Sequence, residues 1–551
     1  MPVSAPVRAV AVAAATATVL SLPRWLPARI VALRTRVFAR INGEEGITVP
    51  GDLIGVERFR EVYSHPAAGG RSRGAALSDL FWYWLSPGAE MHQEHLEAGE
   101  RYDAVARATR GFLSVPRVEA EELTRRCVAR TLRDTVGDKG GPVRLRDLMM
   151  PVWAEFYYEL VFGEPCPPVA RDLIVGNADD VVTALKCCGL RHMDRRDRLT
   201  RHLAGLLPKV RDRLPEGLSA REQALYLQGT FFNTAVVQMS EAMAHLLMVL
   251  AQHPDAQAGV LAGDERGDER GGERGDGQGD ERGGERGDGQ GGERGDGRGD
   301  ERHLDRVISE TLRLYPLFGV AHRVTTGDIP LDEHTTIPAG SVLCFDYPAF
   351  HREGFSDPGR FDPGRFGADR SHANHSHLDH SHLDRPARQR PSQQRPARER
   401  PEPDRPAPGC PASGRPAPGR SLPARPAARE LNHIPFGVAA NRPCPAWRLA
   451  PITMRVAARE VLRAYALDSS ASHTRSMPNR GPCLLVPRGA RTGAAHRATL
   501  RFMRFRDRWE DVWRSLVQLV LGTYMVWDAR RQRLCERHFA EAGRPAGAES
   551  R

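Results

Sequence analysis

His433-Ile434-Pro435-Phe436-Gly437-Val438-Ala439-Ala440-Asn441-Arg442-Pro443-Cys444-Pro445-Ala446 is the stretch on which the reading of this chain turns. Its cysteine follows an aromatic residue, a run of small residues and an arginine two places upstream. After it comes an apolar, helix-like run from Trp447 to Leu467. A thiolate needs positive potential to stay deprotonated, and a helix amino terminus supplies part of it. Arg442 suits a carboxylate, which a guanidinium grips with two parallel hydrogen bonds. Small residues let a flat group lie against the backbone.

A lone cysteine is more often packing than chemistry, so the segments upstream matter. Glu310-Thr311-Leu312-Arg313 runs into Leu314-Tyr315-Pro316, a helix stopped by proline. The i,i+3 spacing puts Glu310 and Arg313 on one face, which taken alone describes an ordinary surface ion pair. Asp357-Pro358-Gly359-Arg360-Phe361-Asp362-Pro363-Gly364-Arg365-Phe366 comes next. Three such segments in this order resemble the cytochrome P450 family, and the context of each strengthens the others. The resemblance implies that Cys444 is the axial thiolate ligand of haem b iron. It also implies that Arg365 joins Glu310 and Arg313 in locking the loop beneath the haem. The fold implied is mainly α with a small β lobe (α+β), the haem lying between a long central helix and the cysteine loop.

The same resemblance assigns the haem surroundings. Arg442 and Arg323 would hold propionates, and Phe436 would line the loop. A third propionate group should come from Arg101-Tyr102-Asp103-Ala104-Val105-Ala106-Arg107, where Tyr102 replaces the usual His or Trp and Arg107 falls one residue late. His92 and His95, spaced i,i+3, read as a polar helix face, with His95 a secondary propionate candidate. Counting back from Pro254 places the family's oxygen-activating motif at Thr234-Ala235-Val236-Val237-Gln238. Val237 stands where an acid is usual and Gln238 where an alcohol is usual. Valine carries no proton, and an amide releases none near neutral pH. Thr234, one turn earlier, offers a hydroxyl.

The proximal loop departs as well. It has one extra residue between Phe436 and Arg442, and Ala439 and Ala440 replace the usual glycines. Pro445 lacks an N–H, which would leave more electron density on the thiolate. A Cys-Pro pair resembles the peroxide-using branch of the family, although that branch's distal arginine is absent here. Phe81-Trp82-Tyr83-Trp84, Phe231-Phe232 and Leu317-Phe318-Gly319-Val320 are candidate walls of an apolar substrate pocket.

The chain has 551 residues, 40% of them hydrophobic, enough for a large core. Gly-Asp-Glu-Arg repeats fill 263–302, and a histidine tract (His372, His375, His377, His380, His382) followed by Pro/Arg repeats fills 368–429. Neither can bury enough apolar surface to offset chain ordering, so both read as disordered inserts in one domain. The histidine tract reads as a by-product of tandem expansion rather than a metal site. The organisation expected is an N-terminal arm (1–24), a catalytic domain (25–489) and a C-terminal helical extension (490–551).

The net charge of +10 lacks any aromatic-basic platform for nucleic acid, and a basic face for an acidic electron carrier is its better use. Nine scattered cysteines without a CxxC pair indicate neither zinc nor a disulfide framework and fit a reducing cytoplasm. The apolar run Ala9 to Leu22 is short for a bilayer; a signal peptide and a docked or disordered arm are its readings. After Arg488, Trp509, Val512, Trp513, Leu516, Val520, Tyr524 and Trp527 form an apolar stripe of helical period flanked by arginines. Packing on the chain's own domain is the favoured reading, ahead of docking a partner or lying on an anionic membrane.

The expected function is haem-thiolate oxidation of a hydrophobic small molecule in specialised metabolism, with electrons from ferredoxin and its reductase. The alternatives are a peroxide-driven or non-oxygen-activating enzyme, or a haem-bearing interaction protein without turnover.

Overall fold

Helix Ala220–Gln252 runs through the middle of the protein. Its start is set by a capping box: Ser219 Oγ accepts from the Glu222 N–H, and the Glu222 carboxylate accepts from the Ser219 N–H. His253-Pro254 ends it, because the residue before proline is driven out of the helical region. The helix is apolar and long enough to cross a membrane, yet 83% of its most apolar window is buried inside the fold. It is the core helix, and the other layers are built on it. The computed structural model describes residues 5–42, 46–71, 93, 96–190, 192–262, 298–367, 432–438, 441–490 and 492–533.

Helix Leu145–Phe162 lies against the central helix and is buried nearly all round, through Trp153, Phe156, Tyr157 and Tyr158. Such a helix needs no polar face, because neighbours cover every side. Helices Arg117–Thr135 and Leu449–Ala464 pack on each other, and the second also touches the central helix. Helices Pro168–Leu185 and Met193–Leu206 form an adjoining pair.

The β structure is small and peripheral. Strands β1 (Ile47–Val49), β7 (Val342–Asp346), β4 (Val320–Val324) and β2 (Gly70–Arg71) form one sheet in that order. β1 pairs parallel to β7, with Ile47 opposite Leu343, whereas β4 is antiparallel to both its neighbours. β3 (Gly141–Arg144), β9 (Pro482–Pro487) and β8 (Tyr465–Asp468) form a second sheet, and β5 (Ile329–Pro330) pairs with β6 (Thr336–Ile337). The first sheet carries its own apolar cluster of Val49, Phe59, Tyr63, Phe345 and Phe350. A mainly α fold with a small β lobe is therefore what the chain adopts.

Two boundaries differ from the sequence expectation. Helix Ala5–Asn42 passes through residue 24 without a break, with Pro23 and Pro27 inside it. Helix Arg298–Leu314 begins within the stretch assigned to the first insert, so the repeat's last turn belongs to the Glu310 helix. Residues 263–297 and 368–431, including the histidine tract, lie outside the described residues, as do Phe81 to Trp84, His92, His95, Ala439 and Ala440.

The carboxy-terminal helix Ala494–Gln532 packs along the amino-terminal helix. Arg34 Nη1 donates to Gln518 Oε1, and Gln518 Nε2 donates to the Lys186 carbonyl at 2.9 Å. Met525, Val526 and Ala529 enter the main hydrophobic core. Asp507, buried, accepts from the Ser472 N–H at 2.8 Å and from Asn479 Nδ2 at 2.5 Å. Helical period alone could not say which residues of the apolar stripe turn inward. Val512 is buried, whereas Trp513, Leu516, Val520, Tyr524 and Trp527 are exposed.

Candidate functional site

The cysteine loop is held from below by a buried ion cluster. Arg313 donates from Nε and Nη2 to the two Glu310 carboxylate oxygens at 2.7 and 2.8 Å, and both side chains are fully buried. A fork-on-carboxylate pair satisfies the charges the interior would otherwise penalise. Arg365 Nε lies 3.5 Å from Glu310 Oε1, and Asp362 N–H donates to that same oxygen at 3.0 Å. Arg313 Nη1 donates to the Pro358 carbonyl at 2.9 Å, while Arg365 Nη2 donates to the Asp357 carbonyl at 3.0 Å. Glu310, Arg313 and Arg365 are thus brought together around the turn 357–366.

From this cluster the contacts run to the loop through His351. Its carbonyl accepts from Arg313 Nη1 at 3.4 Å, and its Nε2 accepts from the Ile434 N–H at 3.1 Å. That acceptor role requires a neutral ring, and burial, with Arg313 and Arg60 beside it, pushes the His351 pKa down to about 3. The loop then turns back on itself. Gly437 takes φ +77°, the left-handed region that glycine enters without strain, and Cys444 N–H donates to the Phe436 carbonyl at 2.9 Å. Trp447 N–H reaches the Cys444 carbonyl at 3.3 Å and Ala450 N–H the Ala446 carbonyl at 2.8 Å, so helical turns begin just past the thiol. Cys444 sits half-buried at the positive end of helix Leu449–Ala464 and is in no disulfide.

Asn441 was not singled out from the sequence, although it fastens the loop to the β lobe. It is buried, and its Nδ2 donates to the Tyr63 carbonyl at 2.7 Å. Its position three before the cysteine was a signal only in hindsight, since the partner lies 378 residues away. Arg442 follows at φ +50°. It donates from Nη1 to the Gln93 carbonyl at 2.6 Å and lays its guanidinium 4.9 Å from the Tyr102 ring centroid. Arg442 and Tyr102 are therefore neighbours, joined by Gln93. Arg323 is buried on β4, where Nη1 donates to the His322 carbonyl at 3.1 Å. Arg107 is not brought to this cluster: it is exposed on helix Glu100–Leu113, whose Val105, Ala106 and Thr109 point inward. One residue of offset turns a side chain about 100° round a helix, which is why a late arginine misses the site.

The distal candidates lie on the central helix, where Gln228–Ala235 widens into π-type turns. Such turns insert an extra residue and recur at functional sites. Between Gln228 and Ala251 every residue is buried except Thr230, Thr234, Ala235 and Gln238. Thr230, Thr234 and Gln238 are spaced by four, so they share a helix face. Val237 is buried at 8% exposure, off that polar row. The Thr230 hydroxyl, also unremarked in the sequence, is shielded from solvent with no hydrogen-bond partner among the described residues.

The family model for cytochrome P450 matches residues 302–381, the stretch that carries Glu310, Arg313 and Arg365. Among solved structures, ligand-free cytochrome P450 OleT aligns at 14% identity with a TM-score of 0.50, covering 79% of this chain and 88% of that one. A zebra fish cytochrome P450 crystallised with abiraterone aligns at 16% identity with a TM-score of 0.52, covering 79% and 92%. The chain therefore has the fold of these cytochromes P450. No curated protein matches the sequence.

The fold implies haem iron, and the residues present fit it. A half-buried thiol stands at a helix amino terminus, a polar row on the buried central helix is left half open, and the Thr230 hydroxyl and Gln93 Oε1 are shielded polar atoms with no hydrogen-bond partner among the described residues. Cys444 would supply the sulfur ligand to the iron, and Arg442, Tyr102 and Arg323 would hold the propionates. Tyr157, fully buried on helix Leu145–Phe162, has its pKa pushed up by burial and further by the Cys444 charge, so its hydroxyl stays protonated. Thiolate-ligated haem, held there, would supply one-electron and oxygen chemistry.

Proposed function

We propose that this chain is a cytochrome P450 that oxidises a hydrophobic small molecule, with Thr234 and Gln238 lining the distal side and Phe231 and Phe232 packed behind it. The observation carrying the reading is the half-open polar row on an otherwise buried, π-widened helix, which gives a reacting group room and two hydrogen-bonding side chains. Gln238 can donate and accept, so it can order a water or orient a substrate oxygen. Thr234 can pass a proton along such a water. Neither is an acid near neutral pH, and Val237 contributes no proton. The lead oxidant is dioxygen, with electrons from a ferredoxin-type carrier in a reducing cytoplasm and a role in specialised metabolism. A second reading, in which peroxide is the oxidant, is favoured by the missing carboxylate, because peroxide arrives with its protons already in place.

The test is coupling. With ferredoxin, reductase and NADPH, the parent enzyme should leak peroxide, and Val237→Asp/Gln238→Thr should raise product per NADPH. Because Val237 is buried, the aspartate should also lower stability by about 1–3 kcal/mol. Tight coupling in the parent, unimproved by the double change, would show that protons arrive by another route. Faster product formation with hydrogen peroxide than with NADPH would select the second reading.

A further inference from the structure

The two terminal helices present a face that nothing among the described residues covers. On helix Ala494–Gln532, Phe502, Phe505, Trp513, Leu516, Val520, Tyr524 and Trp527 are each at least 40% exposed, with half-buried Trp509 in line between them. Their spacings of three and four residues make one stripe, about 38 Å long at 1.5 Å per residue. Beside it, helix Ala5–Asn42 exposes Val12, Val19, Leu20, Trp25, Val31 and Leu33, and residues 12–20 are exposed on every side. A soluble surface helix normally turns its apolar side inward. These two meet each other along one side and leave a second apolar side outward.

The charges around this face are of one sign. The first 42 residues contain arginine as their only charged residue type, and Arg24, Arg29, Arg36 and Arg40 are exposed. On the carboxy-terminal helix Arg501 and Arg504 are exposed. Its acids are withdrawn: Asp507 and Asp528 are buried, Glu510 is held by Arg144, Arg506 and Arg514, and Asp511 lies 3.6 Å from Arg514. Any occupant must therefore be apolar, extended and negative at its rim. A second copy of this face would set arginine rows against arginine rows, which like-charge repulsion disfavours.

We propose that the paired terminal helices are a docking surface for an anionic lipid bilayer. Tryptophan and tyrosine place their apolar bodies at the headgroup level, phenylalanine, leucine and valine enter the acyl boundary, and the arginines stay with the lipid phosphates. The helices lie in the membrane plane, and the attraction weakens as salt screens the arginines. This goes beyond the catalytic reading and does not depend on it.

The experiment is flotation of the full-length holoenzyme with vesicles of phosphatidylglycerol and phosphatidylcholine in equal parts, and with phosphatidylcholine alone. Binding is expected to the first only, with a blue shift of tryptophan emission. Trp513→Gln/Val520→Gln/Trp527→Gln removes only exposed side chains, so haem content and circular dichroism should be unchanged. Vesicle affinity should fall by about two orders of magnitude. Arg501→Glu/Arg504→Glu should weaken binding and flatten its salt dependence. Failure of the parent to float on the anionic vesicles would overturn the proposal, as would undiminished flotation of the triple variant. A dimer that the triple variant dissolves, with no vesicle binding in the parent, would assign the face to a second copy instead.

Discussion

Truncating Glu310 to alanine removes the acceptor for a guanidinium that has no exposure to water. Arg313 would lose its bonds at 2.7 and 2.8 Å, and the Asp362 amide would lose its acceptor at 3.0 Å. Breaking a buried pair by deleting one partner costs about 3–5 kcal/mol, and an orphaned amide pushes the cost towards the upper end. At 1.4 kcal/mol per tenfold, the folding constant drops by roughly two to three and a half orders of magnitude. The damage should also travel. Arg313 holds the His351 and Pro358 carbonyls, and His351 holds Ile434 at the start of the cysteine loop. Urea unfolding measures the first effect, and haem retention with the carbon-monoxide difference spectrum measures the second. Glu310→Gln keeps an acceptor oxygen of the same shape and should lose about half as much. A Glu310→Ala protein within about 1 kcal/mol of the parent, or a glutamine variant as damaged as the alanine one, would refute the idea that an uncompensated buried charge governs the loop.

Cys444→Ala should abolish the red-shifted thiolate Soret band under carbon monoxide, whereas Cys410→Ala should leave it; an intact band in Cys444→Ala would sink the assignment of the ligand. Acid should destabilise the protein early. Burial pushes His245 down to about 4, His351 to about 3 and His473 to about 2, so between the ordinary histidine value near 6.5 and about pH 4 the unfolded chain binds more protons than the folded one. Stability then rises with pH across that window and is lost on acidification, by about 4 kcal/mol per pH unit where all three titrate only in the unfolded state. Denaturant midpoints at pH 7, 6 and 5 measure it, and a flat profile would mean the rings are not held neutral.

The sequence made the proximal side legible because its determinants are local. Glu310 and Arg313 are three residues apart on one helix, Pro316 stops that helix, and Arg365 follows in a short proline-punctuated turn. The cysteine announced itself by its immediate neighbours. What stayed hidden depends on distant partners or on exact phase. Asn441 needs the Tyr63 carbonyl, and His351 matters through Ile434. Arg107 was a one-residue question that local spacing could not settle, and the structure turns it to solvent. The polar row on the central helix was partly seen, as Thr234 and Gln238. Thr230 was missed because π-type turns alter the helical phase, and composition does not encode them. The cut at residue 24 followed the end of the apolar run Ala9 to Leu22, whereas the helix continues through Pro23 and Pro27.

The clasp between Arg34 and Gln518 joins residues 484 positions apart. During synthesis helix Ala5–Asn42 emerges before the helix it will finally lie against, apolar and without that surface. Its partner, helix Ala494–Gln532, is made long after it, and Met525, Val526 and Ala529 join the core only then. Long-range closure of this kind slows folding, because loop entropy is lost before the contacts that reward it form. The nascent protein therefore passes through a long interval with an uncovered hydrophobic arm, and chaperones and aggregation compete for that arm until the final helix docks.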